Sequence, residues 1–173
     1  MILCELTSIR NTAVVDDVLN TIPLAESVLA GQRPDRLTAV ERDVIEAYAL
    51  GGHERVNGAM RGQIPMTPEL ERRIEIIRSG LRRYPLPTTV RVTRETEAAI
   101  YGIVDEASAR DLVDAQFSEA GFLSTCGVAV PPHSTLHVDP VILELVVPQG
   151  VPALRLSQLA EIREEREVLV IDA

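Results

Sequence analysis

Two acidic residues near the end of the chain are the first candidates for chemistry. The stretch EIREEREVLV (161–170) leads from a charged loop into an apolar strand, and a single residue separates Glu165 from Glu167. In an extended chain such residues point to the same side, about 6.6 Å apart at roughly 3.3 Å per residue. The spacing therefore predicts two carboxylates that face one site. The alternative is a solvated edge strand, whose charges discourage pairing with another chain.

Two further stretches carry side chains suited to binding. Residues 122–127, FLSTCG, place the hydroxyls of Ser124 and Thr125 between an apolar residue and a glycine. Val92-Thr93-Arg94 places an arginine at the end of a predicted strand, where its guanidinium could bind a phosphate through two parallel hydrogen bonds. Taken singly, each stretch is also compatible with an ordinary strand, packed in the first case and exposed in the second.

The composition excludes several kinds of chemistry. All 17 cationic residues are Arg, and the absence of Lys excludes a Lys-based P-loop, a Schiff-base lysine and a Ser-Lys dyad. A net charge of −9 disfavours generic binding to nucleic acid or to an anionic membrane. No G-x-G-x-x-G motif follows a predicted strand, so a Rossmann dehydrogenase is not indicated. His133 and His137 have no third ligand near them in sequence, and we predict no metal site.

The first half of the chain has the pattern of helices. Thr38 and Glu41 form a capping-box pattern, and the helix that they begin is expected to end at Gly51-Gly52. A second helix is predicted over 54–60. Thr67-Pro68 predicts the start of a third helix, ending near Gly80.

After Pro85 and Pro87 the pattern changes to short β-type segments. Strands are predicted at 88–95, 98–104, 121–130, 140–148, 151–157 and 166–172, and one helix at 107–117 with Ser108 as its cap. Helices followed by strands predict an α+β fold. We expect one domain, 1–173, in which a small N-terminal helical lobe (about 1–84) packs on two mainly antiparallel β-sheets (about 85–173).

Taken in order, these stretches resemble the bacterial mono-ADP-ribosyltransferase toxin family of the Arg-Ser-Glu class, which includes the actin-modifying clostridial binary toxins. VNGAMR (56–61) is similar to the family pattern I-N-x-x-L-R, and FLSTC (122–126) to F-x-S-T-S. LELVVPQGVPAL (143–154) and EREVL (165–169) are similar to the family's L-E-I-x-V-P-x-G-V-P-A-L and E-x-E-V-L-L. Arg94 stands where the family has the Arg of Y-R-G, with Glu95 in place of the glycine.

The resemblance implies an NAD cleft between the helical lobe and the sheets. Arg94 would bind the NAD pyrophosphate, with Arg61 and Asn57 helping from the helical lobe. Ser124 would position the catalytic carboxylate and the nicotinamide ribose, and Thr125 would support the two strands around the cleft.

The resemblance also implies the reaction. Glu167 would be the catalytic residue, stabilising the oxocarbenium-like transition state as nicotinamide leaves. Glu165 would orient the acceptor, and an acid there goes with arginine as the modified residue, because a carboxylate can hold a guanidinium fork. The expected function is transfer of ADP-ribose from NAD to an arginine of a target protein. The alternatives are NAD hydrolysis, transfer to RNA or a small guanidino compound, and an inactive NAD-binding or interaction domain.

The sequence says less about location and partners. The beginning of the chain lacks a basic region and a small-residue cleavage site, and no apolar run approaches the roughly 18 residues of a membrane span. We therefore expect an effector that is delivered to the cytosol of a target cell by a specialised route, or otherwise a cytoplasmic protein. An immunity protein or a larger parent toxin polypeptide is a further expected partner.

Overall fold

The computed structural model describes residues 4–6, 19–112, 115–117, 119–135, 137–156, 159 and 167–171. Its α-helices are α1 Ala25–Leu29, α2 Ala39–Ala47, α3 His53–Met60, α4 Pro68–Leu81 and α5 Glu106–Arg110. Two 3-10 turns lie at Pro34–Arg36 and Ala98–Tyr101. None of the helices in the described ranges has the length and apolarity needed to cross a membrane.

The predicted capping box of α2 is present and also ties two helices together. The Glu41 N–H donates to Thr38 Oγ1 at 3.2 Å, and the Thr38 N–H donates to Glu41 Oε2 at 2.8 Å. On the same carboxylate, Oε1 accepts from Ser79 Oγ at 2.8 Å and from Arg83 Nη2 at 3.1 Å. Burial by itself raises the pKa of Glu41, but these hydrogen bonds outweigh it and lower the pKa to about 2. Glu41 therefore joins α2 to α4 as a carboxylate.

The break predicted at Gly51-Gly52 is confirmed as a kink. Tyr48–Gly52 form a π-helical turn that leads from α2 directly into α3. Gly51 has φ 125° there, a backbone conformation that side chains with a Cβ rarely adopt. The glycine thus lets α3 leave in a new direction. α4 passes Gly80 and ends one residue later, at Leu81.

The predictions for residues 98–117 were wrong. Ala98–Tyr101 form a 3-10 turn instead of a strand. The helix over this region is only the short α5, which ends at Arg110, and Ala115–Phe117 form a strand. Asp105 is the residue that caps α5, since its carboxylate accepts from the Ser108 N–H at 2.8 Å.

The strands are β1 Cys4–Leu6, β2 Val90–Glu97, β3 Ala115–Phe117, β4 Leu123–Cys126, β5 Pro140–Val147, β6 Ala153–Arg155 and β7 Glu167–Val170. They join in the order β3-β1-β5-β2-β4-β7-β6, and every pair is antiparallel, as predicted. The α+β prediction is thus confirmed, but the described strands form one sheet where we expected two. The difference arises at one place, because β2 joins β4 through the single pair Thr93↔Cys126. The sheet therefore consists of two halves with a narrow join.

The last strand, β7, is buried on both faces. Val168 and Val170 pack into a cluster with α1, β2 and β5. Leu169 and Ile171 pack into a second cluster with α2, α3 and α4, so the helical lobe lies on the sheet as predicted. Because side chains alternate along a strand, Glu167 lies on the same side as Leu169. This places its carboxylate on the side of the helical lobe.

Candidate active site

A pocket of about 480 Å³ lies beside the narrow join between β2 and β4. Its lining residues come from α3, β2, β4, β7 and the segment after β4: His53, Arg94, Glu95, Ser124, Thr125, Cys126, Pro131, Pro132, His133, Ser134, His137 and Glu167. The pocket therefore combines cationic, acidic and hydroxyl side chains from distant parts of the sequence.

A hydrogen bond joins two of the predicted site residues in the lining of the pocket. The register of β4 and β7 places Ser124 opposite Leu169 and Cys126 opposite Glu167. Ser124 and Glu167 are thus diagonal neighbours on one face of the sheet, and Ser124 Oγ donates to Glu167 Oε1 at 2.5 Å. Glu167 is only 8% exposed. The hydroxyl consequently fixes the orientation of a largely buried carboxylate.

Thr125 links the two strands that carry Ser124 and Glu167. Its side chain is buried, and Thr125 Oγ1 donates to the Val168 carbonyl at 2.8 Å. This hydrogen bond adds a side-chain link to the backbone pairing of β4 and β7. It therefore holds together the two strands that carry Ser124 and Glu167.

Arg94 reaches the same pocket from the other half of the sheet. Its Nη1 donates to the Ser124 carbonyl at 3.3 Å across the narrow join. The structure thus brings Arg94, Ser124 and Glu167 together. A guanidinium and a carboxylate in one pocket can bind an anionic group and stabilise a developing positive charge next to it.

Asn57 lies behind this site and is not among the residues that line the pocket. Its Oδ1 accepts from the Phe122 N–H at 3.0 Å, and its Nδ2 donates to the Phe122 carbonyl at 3.2 Å. The same Nδ2 donates to the Tyr48 hydroxyl at 3.0 Å. A Cβ on Gly121 would lie 2.9 Å from the Asn57 oxygen, so the glycine allows this close approach. Asn57 thus fixes the backbone just before Ser124.

Arg61 also lies outside the set of lining residues and is paired with Glu119. Arg61 Nε and Nη2 donate to the two oxygens of Glu119 at 2.9 Å and 3.0 Å. Burial raises the pKa of Glu119, but hydrogen bonds from Arg61 and from the Gly121 N–H outweigh it and lower the pKa. The hydrogen bond to Glu119 in turn raises the pKa of Arg61. This pair therefore supports the same loop, 119–122, that Asn57 holds.

Glu165, the second predicted carboxylate, lies outside the described residues, and its role stays a prediction. Within the described ranges, no group of three His, Cys, Asp or Glu residues is arranged to hold a metal ion.

The histidines of the pocket were not among the predicted site residues. All three histidines of the chain, His53, His133 and His137, line the pocket. His53 lies one helical turn before Asn57 on α3, so its place on the same helix face was a signal that could have identified it. Its ring contacts the edge of Tyr48, with 6.2 Å between the centroids. For the other two histidines, no local signal pointed to the site.

Tyr48 is almost fully buried and packs against residues of the site. Burial raises the pKa of Tyr48, with a smaller contribution in the same direction from the charge of Glu167. The Tyr48 ring packs edge-on against Phe122, with 5.5 Å between the centroids. Tyr48 therefore connects the π-helical turn after α2 to the residue that Asn57 holds.

Known proteins resemble this chain in family and in fold. The family model described as ADP-ribosyltransferase exoenzyme matches residues 27–171. A search of curated proteins gives no match.

Solved toxin enzymes share the fold. The C3 exoenzyme of Clostridium limosum has a TM-score of 0.64 and 17% identity, over 78% of this chain and 74% of that one. The enzymatic component C2-I of the C2 toxin of Clostridium botulinum has a TM-score of 0.68 and 19% identity, over 87% of this chain and 39% of that one. BECa, an ADP-ribosylating toxin of a C. perfringens binary enterotoxin solved with NADH, has a TM-score of 0.67 and 18% identity, over 98% of this chain and 48% of that one. The chain thus spans less than half the length of the two binary-toxin components.

Proposed function

The chain belongs to the ADP-ribosyltransferase exoenzyme family, and we propose that it transfers one ADP-ribose from NAD to an arginine of a target protein. The observation that carries the proposal is the Ser124–Glu167 hydrogen bond of 2.5 Å beside Arg94 in one pocket. The solved toxin with bound NADH supports a dinucleotide as the ligand of this fold.

The proposed role of Arg94 is to bind the NAD pyrophosphate. Its guanidinium is a fixed cation in a chain whose net charge is −9. A planar guanidinium has several N–H donors that can bind phosphate oxygens. The hydrogen bond of Arg94 to the Ser124 carbonyl limits how far this guanidinium can move. Arg61 is a second candidate for a phosphate contact. To contact a phosphate, Arg61 would have to break or share its hydrogen bonds to Glu119.

The proposed role of Glu167 is to stabilise positive charge on the ribose. The bond between ribose C1′ and the nicotinamide nitrogen breaks, and its electron pair leaves with nicotinamide. A carboxylate close to the ribose lowers the free energy of the oxocarbenium-like transition state, as it does in glycosidases. The Ser124 hydroxyl holds Glu167 Oε1 in one orientation, so that the carboxylate does not have to be oriented during the reaction.

The acceptor then forms a bond to C1′. A guanidinium nitrogen of the target arginine attacks and loses a proton, which completes the transfer. We propose that Glu165 holds the guanidinium fork during this step. Water at the same place would give free ADP-ribose, and the reaction would be NAD hydrolysis.

The proposal is tested by measuring nicotinamide release from NAD with and without agmatine, a small guanidino acceptor. The wild type is compared with Glu167→Gln and with Glu75→Gln, which makes the same change at an exposed residue of α4. We expect release that rises with agmatine and falls at least about 100-fold in Glu167→Gln, in the range seen when a preorganised electrostatic group is removed. Glu75→Gln should match the wild type.

The other outcomes separate the alternatives. Release that depends on Glu167 but does not respond to agmatine or to candidate proteins indicates NAD hydrolysis or another acceptor. A folded wild type that binds NAD without releasing nicotinamide above the Glu167→Gln level contradicts an enzymatic role for this chain and indicates an NAD-binding domain. In the proposed setting, a toxin delivered into a target cell, the protein acceptor is sought in that cell's lysate with labelled NAD.

A further inference from the structure

One face of β2 binds the segment that covers the pocket. Thr93, Glu95 and Glu97 alternate along the strand and therefore share a face. We define the covering segment as residues 128–135, 137 and 138. Thr93 Oγ1 donates to the Val128 carbonyl at 2.7 Å, at the beginning of the segment. Glu97 Oε1 accepts from the Val138 N–H at 3.2 Å, at its end.

Glu95 binds the middle of the covering segment with both carboxylate oxygens. Oε1 accepts from the Ser134 N–H at 2.7 Å and pairs with His137 Nδ1 at 3.1 Å. Oε2 pairs with His133 Nδ1 at 3.0 Å. The Glu95 side chain is only 8% exposed. Three hydrogen bonds on one largely buried group thus fix the part of the segment that faces the pocket.

The carboxylate is the form that makes these contacts. Burial raises the pKa of Glu95, but the hydrogen bonds from Ser134, His133 and His137 outweigh it and lower the pKa. Each imidazole can donate from Nδ1 in its neutral form as well as in its protonated form. The anchoring therefore does not require charged histidines.

We propose that Glu95 is a positioning residue for cofactor binding, which holds His133 and His137 in place as part of the wall of the pocket. The proposal rests on the proposed function, because it assigns the wall to the binding of NAD. His133, Ser134 and His137 line the pocket together with Arg94 and Glu167. Glu95 thus acts through the covering segment rather than by touching the reacting atoms.

The expected kinetic effect follows from what Glu95 contacts. Without its carboxylate, the covering segment has to be ordered when NAD binds, and this ordering weakens binding. The Ser124–Glu167 pair is held by β4 and β7 and does not depend on Glu95. Substitution of Glu95 should therefore raise KM for NAD and leave kcat nearly unchanged.

The experiment compares the wild type with Glu95→Ala, Glu95→Gln and the control Glu75→Gln. We expect KM for NAD to rise about tenfold in Glu95→Ala, consistent with the loss of hydrogen bonds to a charged group. It should rise only about threefold in Glu95→Gln, because the amide oxygen can still accept from the Ser134 N–H. In both variants kcat should stay within about twofold of the wild type. Because Glu95→Ala removes a largely buried group that makes three hydrogen bonds, Glu95→Gln remains informative if the alanine variant is unfolded.

Hydrogen exchange supplies a readout that does not involve NAD. The Ser134 amide should exchange about tenfold faster in Glu95→Ala than in the wild type, while amides of α4 keep their protection. Faster exchange combined with a raised KM supports the proposal. Wild-type KM and unchanged Ser134 exchange in both Glu95 variants overturn it, as does a fall in kcat with no change in KM.

Failure of the proposed function would have a different signature. In that case the wild type itself binds no NAD and releases no nicotinamide, whatever residue 95 is. An active wild type whose KM for NAD does not respond to Glu95 overturns the positioning role alone.

Discussion

Substitution of Asn57 tests whether this residue stabilises the fold or binds the cofactor. The resemblance to the toxin family implies that Asn57 helps to bind NAD. In the structure, its amide instead makes two hydrogen bonds to the backbone of Phe122 and one to Tyr48. We therefore expect Asn57→Ala to lower the free energy of unfolding and to leave NAD affinity of the folded protein nearly unchanged.

The magnitude follows from the groups that would lose their partner. Phe122 is fully buried, so Asn57→Ala leaves its N–H and its carbonyl without the hydrogen bonds that they make now. An unsatisfied buried polar group costs about 1 to 3 kcal/mol. Two such groups predict a loss of about 2 to 6 kcal/mol, a large share of the roughly 5 to 15 kcal/mol of a typical domain. Asn57→Asp keeps the acceptor for the Phe122 N–H but places a buried carboxylate oxygen against the Phe122 carbonyl, and its loss should be at least as large.

Urea unfolding followed by circular dichroism measures the loss, and nicotinamide release at several NAD concentrations measures KM. Both variants are assayed at a temperature at which they are folded. The expected result is a lower free energy of unfolding with KM for NAD within about twofold of the wild type. The reasoning is refuted if Asn57→Ala unfolds within about 0.5 kcal/mol of the wild type while its KM for NAD rises tenfold or more. Asn57 would then be a ligand-binding residue.

Two further predictions concern single hydroxyl and carboxyl groups. Ser124→Ala removes the 2.5 Å hydrogen bond to Glu167, and kcat/KM for nicotinamide release should fall roughly 10- to 100-fold. This fall corresponds to about 1.5 to 3 kcal/mol, the contribution of a hydrogen bond to a charged group. Full activity of the variant in steady-state assays would contradict the positioning role of Ser124. The pKa of Glu41 is lowered from 4.5 to about 2 in the folded state, so its stabilisation is present above pH 4.5 and is lost as the pH falls towards 2. In urea unfolding from pH 2 to 7, Glu41→Gln should be less stable at pH 7 and lose less stability on acidification, whereas parallel curves would contradict this assignment.

The helical lobe was largely predictable because its signals are local. The Thr38–Glu41 capping box, the Pro68 start of α4 and the break at Gly51 all depend on residues within one or two helical turns of each other. Such features do not depend on distant contacts. They were therefore available from the sequence before any tertiary structure was known.

The short strands and turns were less predictable. β1 and β3 have three residues each, which is too short for an alternating pattern to be recognised. The apolar stretch 98–104 has the composition of a strand but begins with a 3-10 turn, and Gly102 has a φ of 69°. Composition alone did not distinguish a strand from a turn here. The turn begins where the Ala98 N–H donates to the carbonyl of Asp139, a residue far along the chain.

The candidate site was likewise predictable only in part. Ser124 and Glu167 were predicted because short motifs resemble a family, and the register of β4 with β7 brings them into contact. The role of Glu95 could not be read from the sequence, where it differs from the family's glycine. Its partners His133 and His137 lie 38 and 42 residues further on, and only the tertiary structure brings them to the same carboxylate.

The narrow join between the two halves of the sheet gives the site its form. The candidate site needs space for a ligand beside β2 and β4, and a link that keeps Arg94 next to Ser124. The single pair Thr93↔Cys126, with the Arg94 bond to the Ser124 carbonyl, meets both requirements. Each half then has its own support. The half with Ser124 and Glu167 is held by Thr125 and by the helical lobe through Asn57, and the half with Arg94 holds the covering segment through Glu95. In the proposed reaction, we therefore expect substitutions in the two halves to alter binding of the cofactor and stabilisation of its ribose separately.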